Sequence, residues 1–587
     1  MTLMSWQHGT VRELSPPGAN LRTRVHEYGG GELGCVGDAL VYADFALPGI
    51  QRLGGAPVPA TLEGAHYADF VGSPDGRWLL AVEEEHGEGQ KEPANRLVAF
   101  DLAHGRRVVV QGGRDFVSSP RFSPDGSLVA CLAWDHPSLP WLGTQLILTP
   151  WGPEGPRGSA RAVAGGPGES LCQPEFAPDG RLVVISDRSG WWNLHALTDG
   201  GLRCLLARAA EFGAAQWVLG MSSYDFVSAG EIVCAFAEGG SQRLARLDLA
   251  SGALEPFALP YREFSGVRSL RGRVIFVAAG PRQLSTLCLL ELESGRCQEL
   301  SQAEGEPLDP DWISEPQAVR FASAGGREAH ALVYRPKSAA FEGPRGEQPP
   351  LVVMSHGGPT SAASPALRLA HQFWTSRGFA LLDVNYGGST GYGRAYRELL
   401  HERWGIVDVE DCAHAALFLA EQGLADRARI VATGGSAGGY TTLCLLTFRD
   451  EFAAGASHYG IGDLEALARD THKFESHYTD WLIGPWPAAA ARYRARSPLH
   501  HSARLARPVI FFQGIEDRVV PPAQTEAMAG ALEARGVRHS TLYFAGEGHG
   551  FRQAVSLQRA LEAELWFYGQ VLGFAVDTTP EPAPVLR

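Results

Sequence analysis

The chain has 587 residues, 45% of them hydrophobic, and a formal net charge of −14 at pH 7, from 51 basic and 65 acidic residues. Because this length exceeds what one ordinary core supports, two or more domains are expected. The negative balance argues against nucleic acid or an anionic membrane as a partner. No apolar run reaches the about 18 residues that a membrane span needs, and the N-terminal segment lacks the pattern of a signal peptide.

The cysteines indicate a reducing compartment. There are nine, scattered, with no C-x-x-C pair, and several lie inside apolar runs, such as Cys131 and Cys444. Reduced, buried thiols in a cytoplasmic protein are the plain interpretation. No H-E-x-x-H or comparable metal spacing is present, so no metal is expected.

The first half of the chain repeats. The turn sequences Ser73–Gly76, Ser123–Gly126 and Ala177–Gly180 recur about every 50 residues, and each precedes an apolar run. Pro-Asp-Gly favours a tight turn, and repeats of this length with several short strands are typical of propeller blades. An array of β-sandwiches or a solenoid is the alternative. Six candidate blades lie near 26–62, 66–111, 116–165, 170–207, 212–257 and 262–301.

The pattern changes near residues 310–316. Short strands at 318–322 and 331–334 open a stretch in which buried strands, such as 378–384, alternate with helices, such as 409–422. This alternation indicates a mostly parallel sheet covered on both faces. We therefore predict a β-propeller over 1–312 and an α/β-hydrolase domain over 313–587.

A nucleophile motif lies in the second half. The apolar pair Ile430-Val431 leads to Gly434–Gly438, which reads G-x-S-x-G, and a helix-like apolar pattern follows. Strand, tight turn and helix are the context that this motif requires, and they predict Ser436 as a nucleophile at the end of a strand.

Two candidate partners of the serine follow in the order of that fold. Asp517 comes just after the apolar run 508–512, and His549 follows the strand-like run 542–544. The order Ser436, Asp517, His549 is that of α/β-hydrolases, with His549 as general base and Asp517 fixing its tautomer. The adjacent Glu516 is a rival for the acid.

An oxyanion segment precedes the triad. A strand at 349–354 leads to His356-Gly357-Gly358-Pro359. Such a segment supplies one backbone N–H to an oxyanion hole, and the residue after the nucleophile supplies the other. We predict Gly358 and Ala437 as donors, with Gly357 as the alternative to Gly358.

Taken together, these motifs resemble the prolyl oligopeptidase family of serine peptidases, and most closely its acylaminoacyl-peptidase-like branch. The resemblance covers essentially the whole chain. It is carried by His356–Pro359, Asn385–Gly393, Gly434–Gly439, Arg496–Pro498, Gly548–Gly550, and in the first half Arg24–Gly31 and Ser186–Leu194.

The resemblance implies an α/β-hydrolase with a propeller cap that is usually seven-bladed, short peptides as substrates, and no metal or organic cofactor. The leading functional hypothesis is a serine oligopeptidase or exopeptidase acting through an acyl-enzyme, most like an acylaminoacyl peptidase. A dipeptidyl aminopeptidase or carboxypeptidase of the same family, an esterase, and a non-catalytic propeller scaffold are the alternatives.

The specificity determinants are less marked. Tyr459, Tyr478 and Trp481 are candidates to line an apolar P1 pocket, unless Tyr478 and Trp481 merely pack a helix. In the relatives that act as dipeptidyl aminopeptidases, a glutamate pair holds the substrate amine. Glu83-Glu84-Glu85 is a candidate for this role, although a solvated charge run is the favoured interpretation.

Basic residues near the expected site raise one further alternative. An arginine there could bind a substrate carboxylate, which would make the enzyme trim C-termini. The candidates are Arg394, Arg492, Arg494 and Arg496. Formation of a homo-oligomer is left open.

Overall fold

A computed structural model describes residues 1–7, 9–301, 308–576 and 584–587. The chain divides into two compact units. Unit 1 comprises Met1–Ala279, Ser285–Ala303 and His472–His477, and unit 2 comprises Gly280–Leu284, Glu304–Thr471 and Tyr478–Arg587. The division thus differs from a single boundary between 312 and 313. The segment His472–His477 belongs to unit 1, where the ring of Phe474 is buried among aromatic side chains.

Unit 1 consists of a hairpin and six antiparallel sheets. The hairpin pairs β1 (Met4–Gln7) with β2 (Thr10–Glu13). The sheets are, in chain order, β3 (Leu33–Val36), β4 (Ala39–Tyr42) and β5 (Gln51–Arg52); β6 (Ala65–Gly72), β7 (Trp78–Glu85), β8 (Ala94–Asp101) and β9 (Arg106–Gln111); β10 (Phe116–Phe122), β11 (Leu128–Trp134), β12 (Thr144–Gly152), β13 (Gly155–Pro156) and β14 (Arg161–Gly166); β15 (Leu171–Phe176), β16 (Leu182–Ser186), β17 (Asn193–Thr198) and β18 (Gly201–Cys204); β19 (Tyr224–Ser228), β20 (Glu231–Glu238), β21 (Ser241–Asp248) and β22 (Leu254–Pro256); and β23 (Glu263–Leu270), β24 (Arg273–Gly280), β25 (Gln283–Glu291) and β26 (Cys297–Ser301).

These sheets are the blades of a six-bladed β-propeller, which agrees with the six repeats in the sequence. Apolar side chains fill the space between successive blades: the first and second share one cluster, the second and third another, and the fifth and sixth a third. The seventh blade that the family resemblance implied is not found among the described residues.

The repeated turns form as their chemistry predicts. In the second blade, a carboxylate oxygen of Asp75 accepts the hydroxyl of Ser73 at 2.5 Å and the N–H of Arg77 at 3.1 Å. Gly76 has φ +71°, a conformation that only glycine adopts at little cost. The turn returns the chain into β7 and so fixes the register of β6 against β7.

Unit 2 is built on one eight-stranded sheet. Its strands are β27 (Gln317–Ala322), β28 (Glu328–Tyr334), β29 (Leu351–Ser355), β30 (Ala380–Asn385), β31 (Ile430–Gly435), β32 (Ala454–His458), β33 (Val509–Gly514) and β34 (His539–Phe544). Their order is β27-β28-β30-β29-β31-β32-β33-β34, antiparallel at β27/β28 and β28/β30 and parallel from there on. This is the α/β-hydrolase architecture that the alternating pattern predicts, and it brings the ends of β29, β31, β33 and β34 to one edge.

Helices accompany this sheet. They are α1 (Leu369–Thr375), α2 (Arg394–Arg397), α3 (Val407–Glu421), α4 (Ala437–Phe448), α5 (Leu464–Asp470), α6 (Tyr478–Leu482), α7 (Ala490–Arg496), α8 (Pro522–Glu533) and α9 (Ala554–Leu572), with 3₁₀ turns at Pro310–Trp312, Ala324–Gly326, Glu398–Leu400, Lys473–Glu475 and Pro498–Arg504. Helix α4 is buried along nearly its whole length. Across the described ranges, none of the helices combines the length and the apolar character that crossing a membrane requires.

Candidate active site

Ser436 occupies a strained turn between β31 and α4. Its backbone has φ +57° and ψ −121°, a conformation that costs a non-glycine residue of order 1–3 kcal/mol. The flanking glycines are required by space: a Cβ on Gly438 would lie 2.0 Å from the carbonyl oxygen of Ser355, and one on Gly434 would lie 2.5 Å from the backbone of Gly438. The sharp turn therefore exists only because these two positions carry no side chain.

The side chains of Ser436, His549 and Asp517 form a continuous hydrogen-bonded chain. Nε2 of His549 lies 2.9 Å from Oγ of Ser436, and its Nδ1 lies 2.8 Å from Oδ2 of Asp517. The second oxygen of Asp517 accepts the N–H groups of Val519 and Val520, both at 2.9 Å. The carboxylate is thus buried, held by backbone donors and aimed at the imidazole.

The rival acid Glu516 faces elsewhere. Its Oε1 accepts the N–H of Gly546 at 3.0 Å, in the loop that follows β34. Of the two adjacent acids, the structure brings Asp517 to the histidine, and Glu516 braces the loop that carries His549.

Tyr459, which follows β32, lies against the histidine. Its ring centroid is 5.0 Å from that of His549 and 5.5 Å from that of Phe551, in edge-on contacts. Its ring also fills the space beside Gly435, where a Cβ would lie 2.9 Å from the phenol oxygen. Burial raises the pKa of Tyr459 to about 12, so the phenol keeps its proton at neutral pH. This residue forms one wall beside the serine.

The His356–Pro359 segment runs beside the same turn. A Cβ on Gly357 would lie 3.6 Å from Cβ of Ser436, and Gly358 has φ +114°. The ring of His356 stacks on Tyr386 at 4.3 Å, and its Nε2 lies 2.7 Å from the hydroxyl of Ser389. Burial lowers the pKa of His356 to about 4, so this ring is neutral. Tyr386 and Ser389 are supports that motif reasoning did not assign, although both lie in the Asn385–Gly393 motif.

The two other pocket candidates differ in position. The hydroxyl of Tyr478 lies 2.5 Å from the hydroxyl of Thr360 and accepts the Thr360 N–H at 3.2 Å, just after the Gly357-Gly358 pair. The described contacts of Trp481 lie instead around residues 401 and 402: its ring is 5.2 Å from that of His401, and its carbonyl accepts the Glu402 N–H.

The four candidate arginines already have partners within unit 2. Three form ion pairs: Arg394 with Glu398 at 2.6 Å, Arg492 with Glu402 at 2.7 Å, and Arg494 with Glu465 at 3.0 Å. The fourth, Arg496, is half-buried and donates to the carbonyl of Trp404 at 3.2 Å. These contacts weaken the case for a carboxylate-reading arginine among the four, because a substrate would have to displace protein partners.

The acidic run 83–85 at the end of β7 is neither solvated nor free. Glu83 and Glu84 are buried. Glu83 accepts the hydroxyl of Tyr67 at 3.1 Å and Nε of Arg107 at 2.8 Å, and Glu85 pairs with Arg96. The interpretation as a solvated charge run is therefore wrong: at least the first two glutamates are internal partners of the second blade.

Comparisons with known proteins agree with this architecture. The model of the prolyl oligopeptidase family matches residues 365–575. A crystal structure of puromycin hydrolase superposes with a TM-score of 0.94 at 39% identity, covering 100% of this chain and 93% of that one. A puromycin-hydrolyzing peptidase from Mycobacterium tuberculosis superposes with a TM-score of 0.93 at 38% identity, covering 98% and 92% of the two chains.

A curated relative matches over a shorter stretch. Dipeptidyl aminopeptidase BIII of Pseudoxanthomonas mexicana is 30% identical over 278 residues, which cover 46% of this chain and 40% of the relative. The matches thus span two-fifths or less of the first curated relatives. Because the likeness to puromycin hydrolase extends over both units and nearly all of that protein, and the family model covers the α/β sheet, the chain belongs to the prolyl oligopeptidase family.

Proposed function

We propose that this protein is a serine peptidase that hydrolyses short peptides through an acyl-enzyme. The observation that carries the proposal is the hydrogen-bonded chain from Ser436 through His549 to Asp517, at 2.9 and 2.8 Å. Nucleophile, base and orienting acid within hydrogen-bond reach are the arrangement that this chemistry requires.

The roles follow from the geometry. Nε2 of His549 takes the proton of the Ser436 hydroxyl as Oγ attacks the scissile carbonyl, and it returns that proton to the leaving amine. Water then attacks the acyl-enzyme with His549 again as base. Asp517 holds the Nδ1–H tautomer and stabilises the imidazolium, for which its fixed carboxylate is well placed.

The oxyanion is stabilised by backbone donors. We assign the N–H of Ala437, at the start of α4, and the N–H of Gly358, with Gly357 as the alternative to Gly358. The approach of Gly357 to Ser436 and the left-handed φ of Gly358 support this assignment. Preorganised donors of this kind lower the barrier by about 3 kcal/mol each.

We propose further that Tyr459 and Tyr478 line the P1 pocket, with Trp481 at its periphery. The contact of Tyr459 with His549, and of Tyr478 with Thr360, supports the first two. Aromatic walls favour an apolar P1 side chain.

Cleavage occurs at the N-terminal end of the peptide, with a free α-amine. The basis is the 39% identity over the whole chain to a protein described as a puromycin hydrolase, since puromycin is an amino acid with a free amine joined through an amide bond. An acylated N-terminus is the second candidate, and the 29% identity over 255 residues to the acylamino-acid-releasing enzyme of Arabidopsis thaliana favours it.

One peptide in three forms distinguishes these registers. It is supplied free at both ends, N-acetylated, and C-amidated, and the products are identified by mass spectrometry, with Ser436→Ala as the blank. We expect the free and the amidated peptides to lose N-terminal residues and the acetylated one to be spared. Loss of the acetylated residue would assign the acylaminoacyl register, and a block by amidation would assign a carboxypeptidase. No Ser436-dependent cleavage of any form would contradict the peptidase proposal.

We also propose a cytoplasmic location. All nine cysteines lie in the described part of the chain and are unpaired there, six of them buried. A thiol titration of protein isolated under non-reducing conditions and then denatured should find nine thiols, whereas a lower number would indicate disulfides and an oxidising compartment.

A further inference from the structure

Three potential metal ligands meet on one face of the second blade. His66 on β6 is paired directly with Glu84 on β7, and His86 follows Glu84 by two positions. Residues opposite each other on neighbouring strands share a face, and so do residues two apart on one strand. One ligand atom from each of the three side chains lies within 4.8 Å of the others.

The carboxylate is oriented in the way that metal ligands usually are. Oε2 of Glu84 accepts the backbone N–H of His26 at 2.9 Å and the side-chain amide of Asn95 at 3.0 Å. These two donors occupy one oxygen and leave the other, Oε1, facing Nε2 of His86 at 3.0 Å. Fixing a ligand through its second oxygen is a common feature of metal sites.

The two imidazoles complete the donor set. Their ring centroids are 5.0 Å apart. Nδ1 of His66 is buried and accepts or donates no hydrogen bond within the described ranges, which is a costly state for a ring nitrogen. His86 is exposed, with 49% of its side chain accessible, and His66 also lines an open cleft of about 300 Å³, so an ion can reach the cluster from solvent.

We propose that His66, Glu84 and His86 bind a divalent transition-metal ion, with zinc as the preferred ion and water as its fourth ligand. Two imidazoles and one carboxylate suit zinc and its neighbours rather than magnesium or calcium, which take oxygen ligands. In a tetrahedral site, ligand atoms lie about 3.3 Å apart. The present spacing closes to this value by rotation of the exposed His86 side chain, and the ion then ties β6 to the end of β7. This site is separate from the proposed peptidase chemistry.

A second cluster shows by contrast what such a site requires. Asp463, Glu465 and His500 also bring three ligand atoms within 4.8 Å. There, however, both oxygens of Glu465 accept Nε of Arg494, at 3.1 and 3.0 Å, so a cation would compete with a guanidinium. His500 therefore provides a matched control for the histidines of the blade.

The experiment uses the full chain, stripped with a chelator and then titrated with zinc alone by calorimetry. We expect one zinc per chain and a higher Tm with zinc, because an ion that binds only the folded state stabilises it. His86→Ala, at an exposed position that the fold does not need, should weaken binding by more than the about 10- to 100-fold that loss of an orienting partner costs. His66→Ala should do the same, and His500→Ala should bind as the parent does.

Cobalt(II) absorption identifies the donor atoms. We expect d–d bands of a nitrogen and oxygen site that disappear in His86→Ala. Strong sulfur-to-cobalt bands that are lost in Cys35→Ser would instead assign the ion to the exposed thiol of Cys35. That result, the absence of saturable zinc binding, or unchanged affinity in His86→Ala and His66→Ala would overturn the proposal.

Discussion

The hydroxyl of Thr441 on α4 donates a 2.6 Å hydrogen bond to the buried carboxylate of Asp408 on α3. The other oxygen of Asp408 accepts the N–H of Gly405 at 2.7 Å. Because α4 begins directly after Ser436, this contact ties the helix behind the serine to its neighbour. Burial raises the pKa of Asp408 to about 6 in spite of both donors.

The raised pKa predicts a pH-dependent stability. A carboxyl group whose folded-state pKa exceeds its unfolded value of about 3.9 binds its proton more tightly when folded, so its contribution to the free energy of unfolding falls as pH rises from about 4 to about 6. Asp408→Asn removes this loss. We expect the variant to exceed the parent in stability by about 1–3 kcal/mol at pH 7.5, and the difference to vanish near pH 4.

Urea unfolding at the two pH values measures this effect. Asp383→Asn is a matched control on β30, since burial raises the pKa of Asp383 to about 7 and its window extends correspondingly higher. An Asp408→Asn difference that is the same at pH 4 and pH 7.5 would show that this carboxyl group does not titrate in that range.

The catalytic chain can be tested at both ends. Ser436→Ala should abolish acylation, and Asp517→Asn should lower kcat by about 10⁴-fold, because an asparagine holds the imidazole in the wrong tautomer. Glu516→Gln is the control: it keeps an acceptor for the Gly546 N–H and should retain activity. Steady-state kinetics on an unstructured peptide give the values, and activity lost in Glu516→Gln but kept in Asp517→Asn would exchange the two assignments.

The two aromatic pocket candidates should behave differently. Tyr478→Phe removes the hydroxyl that contacts Thr360 and leaves buried polar atoms unsatisfied, so kcat/KM should fall about 10-fold at unchanged P1 preference. Trp481→Ala should change KM for large apolar P1 residues with little effect on kcat. The measurement is kcat/KM over peptides that differ only at P1, and an unchanged preference in Trp481→Ala would remove that residue from the pocket.

Glu83 should matter for stability and not for the substrate amine. Glu83→Ala leaves the guanidinium of Arg107 and the hydroxyl of Tyr67 without their buried acceptor, so unit 1 should lose about 3–5 kcal/mol, the usual cost of breaking a buried pair. Thermal unfolding of Glu83→Ala and of the conservative Glu83→Gln gives the comparison. An intact Tm together with a KM raised only for peptides with a free amine would instead assign Glu83 to amine binding.

Much of this protein could be predicted because its signals are local. Pro-Asp-Gly turns specify their own geometry within four residues, which is why the six blades can be counted from the repeats alone. The strand predicted at 378–384 is β30 (Ala380–Asn385), and the helix predicted at 409–422 is α3 (Val407–Glu421). The serine motif is recognisable because its glycines are needed by the turn itself.

Other features were decided only by tertiary structure. The choice between Glu516 and Asp517 depended on which carboxylate the loop after β33 turns toward His549, 32 positions later. The run Glu83–Glu85 was expected to be solvated because its partners, among them Tyr67 and Arg107, lie on other strands.

The sequence by itself determined the blade repeats, the alternation of strands and helices, and the strained serine turn, since each depends on backbone preferences and side-chain size within a few residues. Only the tertiary structure decided which distant side chains meet: Asp517 at His549, Thr441 at Asp408, and His66 at Glu84. The physical reason is that hydrogen-bond and metal-ligand geometry is set within tenths of an ångström, whereas the local pattern of a chain fixes only the face on which a side chain lies.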